Sequence, residues 1–238
     1  MASIIYIPTI QASGTWFILN LLTAHDKVGR ALLFGHWSDS IIKEVNAGGS
    51  LENDNIVALQ NHYGEDPKIS ALMENIFAIS DHIVTPIRNP LRAILTAYIK
   101  QGPLRKNWAH PYIRHDITHM VNGYIELTEL IKKHNIFIVP VDLYLGKSRV
   151  ERYFLLRDLF DFVQLPYNHY MKKLANTWQK SNTVGNREES VRLLFDTKNV
   201  EGIKQIIPKG YDLLIQSKDI LKPFFESHGY SKEDLWYW

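Results

Sequence analysis

The 238-residue sequence contains no cysteine. That excludes disulfides, thiolate metal ligands and a cysteine nucleophile. Charge of either sign is also scarce in excess: 27 Lys and Arg against 25 Asp and Glu leave +2. No broad polyanion-binding face is expected, so nucleic acid is not an expected partner, and any anion site must be local. Long apolar runs are missing as well. The longest near the N-terminus, residues 4–7, is far too short for a signal peptide or a membrane span. The expectation is a soluble, cytoplasmic protein. Internal repeats, low-complexity tracts and a dividing linker are absent too. What is there is ordinary globular composition, 45% hydrophobic and 22% charged, which argues against disorder and for one domain over residues 1–238.

Hydrophobic patterning supplies the elements. Ser3-Ile4-Ile5-Tyr6-Ile7 reads as a strand ended by Pro8, and residues 16–22 read as a buried helix after a polar turn. A second apolar run at 31–34 precedes Gly35-His36, with a short helix expected before Gly49. Residues 55–60 and 82–87 read as strands, each followed by a helix, over 69–77 and 91–100. The stretch 102–111, rich in Gly, Pro, Trp and basic side chains, reads as a loop or lid. A long amphipathic helix over 117–134 leads into a fourth strand at 136–141. Residues 150–163 are helical, 176–190 lack apolar periodicity, and 200–227 are mainly helical. Four strands separated by helices predict an α/β fold, a three-layer α/β/α arrangement with a central parallel sheet.

Two segments carry chemistry. In Pro8-Thr9-Ile10-Gln11-Ala12-Ser13-Gly14-Thr15-Trp16, small and hydroxylated residues lead from a strand into a helix. Such a loop aims unpaired backbone N–H groups at one point, and the helix terminus adds partial positive charge, which suits a phosphate. An ordinary strand-to-helix turn capped by Ser13 or Thr15 has the same sequence signature. The Gly-Lys-Ser/Thr ending of a Walker A loop is not there. The second segment is Arg88-Asn89-Pro90 with Thr96 eight residues after the arginine. Arg88 follows a buried strand, where open α/β sheets bind ligands. A guanidinium fork and a hydroxyl can together hold a phosphate; a structural arginine paired with a helix C-terminus is the plain alternative.

These two segments resemble the nucleotide loops of the sulfotransferase family, which uses 3′-phosphoadenosine 5′-phosphosulfate (PAPS) as sulfuryl donor and releases 3′-phosphoadenosine 5′-phosphate (PAP). Ser13-Gly14-Thr15-Trp16 is similar to the end of the family's Pro-Lys-Ser-Gly-Thr-Thr-Trp loop. Arg88-Asn89-Pro90, Thr96 and Tyr98 are similar to its Arg-Asp-Pro, Ser and aromatic pattern. Leu59-Gln60-Asn61-His62 resembles the strand end bearing Lys-Thr-His. Residues 159–166 resemble the Phe-Leu-Gly-Leu-Pro helix ending, and 180–187 resemble the late loop that closes over the 3′-phosphate.

The resemblance covers residues 3–190 and implies a P-loop NTPase-like sulfotransferase fold. It implies that Gln11, Ala12, Ser13, Gly14, Thr15 and Trp16 grip the 5′-phosphosulfate. Arg88, Thr96, Lys180, Ser181 and Asn182 would hold the 3′-phosphate, and His62 would be the general base, with His36 in reserve. The acceptor would be a hydroxyl or amine on a small molecule or glycan, and no metal is expected. Oligomeric state is left open.

Two family lysines are replaced, by Ala12 and by Gln60. Since charge stabilisation does most of the work in such transfers, either another cation substitutes (Lys100, Arg105, Lys106 or Lys180) or the protein binds nucleotide with little turnover. A P-loop kinase-like phosphotransferase shares the strand–loop–helix logic but requires the absent Walker lysine. His115 and His119 have helical i, i+4 spacing without an obvious third ligand and read as a solvated face. The aromatic end, Leu235-Trp236-Tyr237-Trp238, is expected to dock on the body or on a partner.

Overall fold

The β-branched run at the N-terminus forms the middle strand of a sheet. The computed structural model describes residues 3–10, 13–32, 39–47, 56–62, 72–101, 117–146, 149–167 and 193–238. Its strands are β1 (Ser3–Thr9), β2 (Arg30–Leu32), β3 (Ile56–His62), β4 (His82–Ile87) and β5 (Ile136–Pro140). They form one five-stranded sheet in the order β2-β3-β1-β4-β5, and every pairing is parallel. The helices are α1 (Thr15–Thr23), α2 (Asp39–Asn46), α3 (Met73–Ile79), α4 (Pro90–Gln101), α5 (Ile117–Lys133), α6 (Val141–Gly146), α7 (Arg149–Phe162), α8 (Val200–Ile206), α9 (Pro208–Gln216) and α10 (Lys218–Ser227).

Alternation along β1 divides the core in two. Ile4 and Tyr6 join one apolar cluster with Ile76, Leu91, Ile94, Val121, Leu214 and Phe225. Ile5 and Ile7 join the other, with Phe17, Ile18, Leu22, Leu159 and Phe160. Successive strand side chains point to opposite faces, so the two clusters lie on the two faces of the sheet. A strand covered on both sides is what a continuous Ile/Tyr run predicts. Among the described residues no helix is long and apolar enough to cross a membrane.

Three boundaries differ from the sequence reading. The sheet has five strands, because part of the apolar run at 31–34 becomes the short strand β2. Pro8 does not end β1, which runs on to Thr9 with Pro8 opposite Asn61. The fourth expected strand stops at Pro140, and Val141 already starts α6. Proline has no N–H to extend a ladder, and Asp142 in the first turn suits a helix start.

The proline positions also shape the sheet's C-terminal edge. The β1–β4 pairing comprises Ile5↔His82 and Tyr6↔Ile83; beyond it come Pro8 on one strand and Pro86 on the other. From β1 the chain moves towards β2, and from β4 it moves towards β5 on the opposite side. The gap between β1 and β4 is therefore the topological switch point, the place where open parallel sheets bind ligands.

Candidate functional site

Both chemistry-bearing segments emerge at that switch point. The residue after β4 is Arg88, and the turn leading into α1 follows β1. His62 ends β3 in register with Thr9 of β1, and Pro140 ends β5 in register with Ile87 of β4. Four strand ends thus bring His62, residues 13–16, Arg88 and Asp142 to one edge of the sheet.

On the first loop, Ser13 donates its N–H to Ile10 O at 3.1 Å, closing a turn. Gly14 is the residue before the helix, with φ 105° and ψ 21°, a conformation that L side chains rarely adopt. Among the described residues no side chain caps α1, so the alternative of an ordinary turn capped by Ser13 or Thr15 does not describe this loop. Instead Ser13 Oγ and Thr15 Oγ1 are buried and, among the described residues, without a hydrogen-bond partner. Buried hydroxyls are ordinarily satisfied, so this pair marks a place where an acceptor or donor is wanted. Trp16 is 61% exposed, an indole face open to solvent beside them.

The second loop is dense with bonds. Arg88 Nε donates to Asp142 Oδ1 at 3.0 Å, and Nη1 donates to Thr96 Oγ1 at 3.3 Å. Thr96 can accept because its own proton goes back to Arg92 O, at 2.8 Å. The second carboxylate oxygen of Asp142 accepts the Asn89 N–H at 2.7 Å, and Arg92 Nη1 lies 3.5 Å from Oδ1. The alternative of a structural arginine on a helix C-terminus does not describe Arg88, whose carboxylate partner sits in the first turn of α6. Arg92 also lies 3.9 Å from the half-exposed Asp196. Local charge is balanced, so this cluster offers an anion directed N–H groups rather than an excess of positive charge.

Asn89 caps α4. Its Oδ1 accepts the Arg92 N–H at 3.2 Å, and Pro90 follows at the first helical position, the usual order for a helix start. The same amide ties down the chain's end: Nδ2 donates to Asp234 O at 2.7 Å, and the Tyr237 hydroxyl donates to Oδ1 at 3.0 Å. Trp238 donates its indole N–H to Leu214 O at 2.9 Å. The aromatic end therefore docks on the body, beneath the Arg88 turn.

Three buried phenols complete the underside. Tyr124 donates to Arg88 O at 2.9 Å, Tyr230 reaches Ile87 O at 3.5 Å, and Tyr237 meets Asn89. Burial pushes all three above the ordinary tyrosine range, and the Asp142 charge adds to the rise. They are hydrogen-bond donors at neutral pH.

Arg88 and Thr96 are thus brought together, and residues 13–16 lie on the neighbouring strand end. His62 is placed by its backbone alone, its side chain lying outside the described residues. Gln11, Ala12, Lys180, Ser181 and Asn182 lie outside the described residues, as do His36, His115 and the expected lid at 102–111. No cluster of three metal-ligating side chains occurs among the described residues. Sequence reasoning missed Asp142, Tyr124 and Tyr230, and it named Asn89 and Tyr237 without the bond that joins them. Asp142 was within reach of one rule, since it follows the end of a parallel strand, but reading Val141 as strand hid it.

No family model matches the sequence, and no curated protein matches it. Among solved structures it is similar to mouse sulfotransferase SULT7A1 complexed with PAP. The TM-score is 0.49 at 13% identity, over 77% of this chain and 67% of that one. A likeness of that size decides neither fold family nor ligand.

Proposed function

We propose that this chain is a single sulfotransferase-like α/β/α domain over residues 1–238 that binds PAPS across the C-terminal edge of the sheet. It then transfers the sulfuryl group to a hydroxyl or amine of a small-molecule or glycan acceptor. The observation that carries the reading is the meeting of Arg88 and Thr96 at the switch point, one strand away from two buried hydroxyls without a partner among the described residues. Ser13 and Thr15 fit a group rich in acceptor oxygens, and Gly14 lets the backbone turn towards it.

In this reading Arg88 and Thr96 hold the 3′-phosphate, with Lys180, Ser181 and Asn182 closing over it. Residues 11–16 orient the 5′-phosphosulfate. PAPS supplies an activated sulfuryl group when bound. His62 would accept the proton of the acceptor's hydroxyl or amine as its oxygen or nitrogen attacks sulfur, and the bond from sulfur to the 5′-phosphate oxygen would break to leave PAP. A histidine near neutrality suits this proton transfer. The loop and arginine donors act by positioning and charge stabilisation, which dominate such transfers.

Ala12 and Gln60 favour a second reading, in which nucleotide binds with little turnover, because both stand where the family has lysines. Replacing His62 separates the two: a binding-only protein is indifferent to His62→Ala, whereas an enzyme loses turnover and keeps PAP affinity.

Calorimetric titration with PAP tests the site itself. Binding in the presence of a chelator, and tighter than that of Mg²⁺–ATP, is the expected result. Preference for Mg²⁺–ATP, or no heat with PAP, would overturn the reading in favour of a phosphotransferase or an unrelated activity.

A further inference from the structure

We propose that Asp142 is the positioning residue of this site, fixing the plane of the Arg88 guanidinium so that its remaining donors meet a 3′-phosphate. The inference rests on the nucleotide reading above and assigns a role to a residue which that reading does not use. Asp142 is nearly buried, with its side chain 10% exposed, against 20% for Arg88. Its two oxygens do different jobs: Oδ1 takes Arg88 Nε and Oδ2 takes the Asn89 N–H. One carboxylate therefore ties the side chain of residue 88 to the backbone of residue 89. The guanidinium is held at two points, Nε on Asp142 and Nη1 on Thr96.

Asp142 is itself held from the other loop. An added Cβ at Gly14 would meet Val141 Cγ2 at 2.8 Å, so Gly14 and the residue before Asp142 are in close packing. The start of α6 is wedged between the turn after β1 and the turn after β4. The distance between the two phosphate-facing segments is thereby set by Val141 and Asp142 rather than by solvent-exposed loops. A carboxylate beside an anion site also repels the anion, and the flanking Arg92, 3.5 Å away, offsets that repulsion. Positioning outweighs repulsion here because a free arginine side chain must be ordered on every binding event, at an entropic cost that Asp142 removes beforehand.

The test compares PAP with adenosine 5′-phosphate, which lacks the 3′-phosphate, in the wild-type chain and in two variants. Asp142→Asn keeps the shape but leaves one acceptor oxygen for two donors. Asp142→Glu keeps the charge but shifts the carboxylate by a methylene. Both are expected to lose roughly ten- to a hundredfold in PAP affinity, the scale of one charged hydrogen bond. Affinity for adenosine 5′-phosphate should stay within about twofold, since that nucleotide lacks the phosphate that Arg88 meets. A variant that keeps the wild-type preference, or binds PAP more tightly, overturns the proposal. So does failure of both variants to unfold cooperatively, which would make Asp142 a structural residue. Loss of preference in the wild-type chain is a different failure: it overturns the 3′-phosphate reading, and the role of Asp142 falls with it.

Discussion

Gly14→Ala is expected to destabilise the fold by about 2–5 kcal/mol and to abolish nucleotide binding. Two costs combine. The backbone at φ 105° lies outside the comfortable range of an L residue, at roughly 1–2 kcal/mol. The new methyl would also lie 2.8 Å from Val141 Cγ2 and 3.1 Å from Cγ1, and overpacking of this kind typically costs about 1–3 kcal/mol. Val141 is 4% exposed and borders Asp142, so any shift that relieves the clash moves the carboxylate holding Arg88. The measurement is urea unfolding of the variant and of a Gly14→Ala, Val141→Ala pair. The pair is expected to be less destabilised than the sum of the single changes, because one relieves the contact made by the other. A loss below about 1 kcal/mol in Gly14→Ala, or strict additivity in the pair, would show that this close approach does not constrain the site.

Stability is expected to fall steeply above pH 10. Tyr124, Tyr230 and Tyr237 are buried, and their pKa values are raised chiefly by loss of hydration. In the unfolded chain each ionises near 10, while in the folded chain each keeps its proton to higher pH. Above pH 10 the folded state therefore binds more protons than the unfolded state, and stability falls as pH rises. It is fully present below the unfolded value and is lost on the way up to the folded ones. Each phenol contributes a slope of about 1.4 kcal/mol per pH unit, so the three together approach about 4. Tyr237→Phe should shift stability at pH 8 modestly, because Asn89 loses one donor. It should reduce the alkaline slope by about 1.4 kcal/mol per pH unit. Chemical unfolding at several pH values between 9 and 12 measures it. An unchanged slope in Tyr237→Phe would mean that the phenol ionises within the fold, and that the underside of the Arg88 turn is more accessible than its burial indicates.

The parts of this arrangement that were legible in the sequence are those written in local pattern. Ile4 to Ile7 and the 82–87 run could only be buried strands, and Arg88 eight residues before Thr96 is a local spacing that a strand end and the next helix convert into a contact. Pro8 misled because proline was read as a stop. In the sheet it falls beyond the short β1–β4 ladder, where a missing N–H costs little. Asp142 and the long-range partners of Asn89 were illegible for a different reason. The partner of Arg88 lies 54 residues away, and Tyr237 lies 148 residues from the amide it meets. Only the lateral order of β4 and β5, and the return of the C-terminal segment beneath them, brings these groups together. The burial of the Ser13 and Thr15 hydroxyls was equally hidden, since the same residues in the same order serve as ordinary caps elsewhere.

The most direct test of the central claim is the position of the 3′-phosphate in an experimental structure of the chain with PAP bound. The account predicts a phosphate oxygen within hydrogen-bond distance, about 2.7–3.2 Å, of the Arg88 guanidinium and of Thr96 Oγ1, whose proton turns from Arg92 O to the phosphate, with the 5′-phosphate against residues 13–16. A nucleotide bound away from the gap between β1 and β4, or with its 3′-phosphate turned from Arg88, would contradict it.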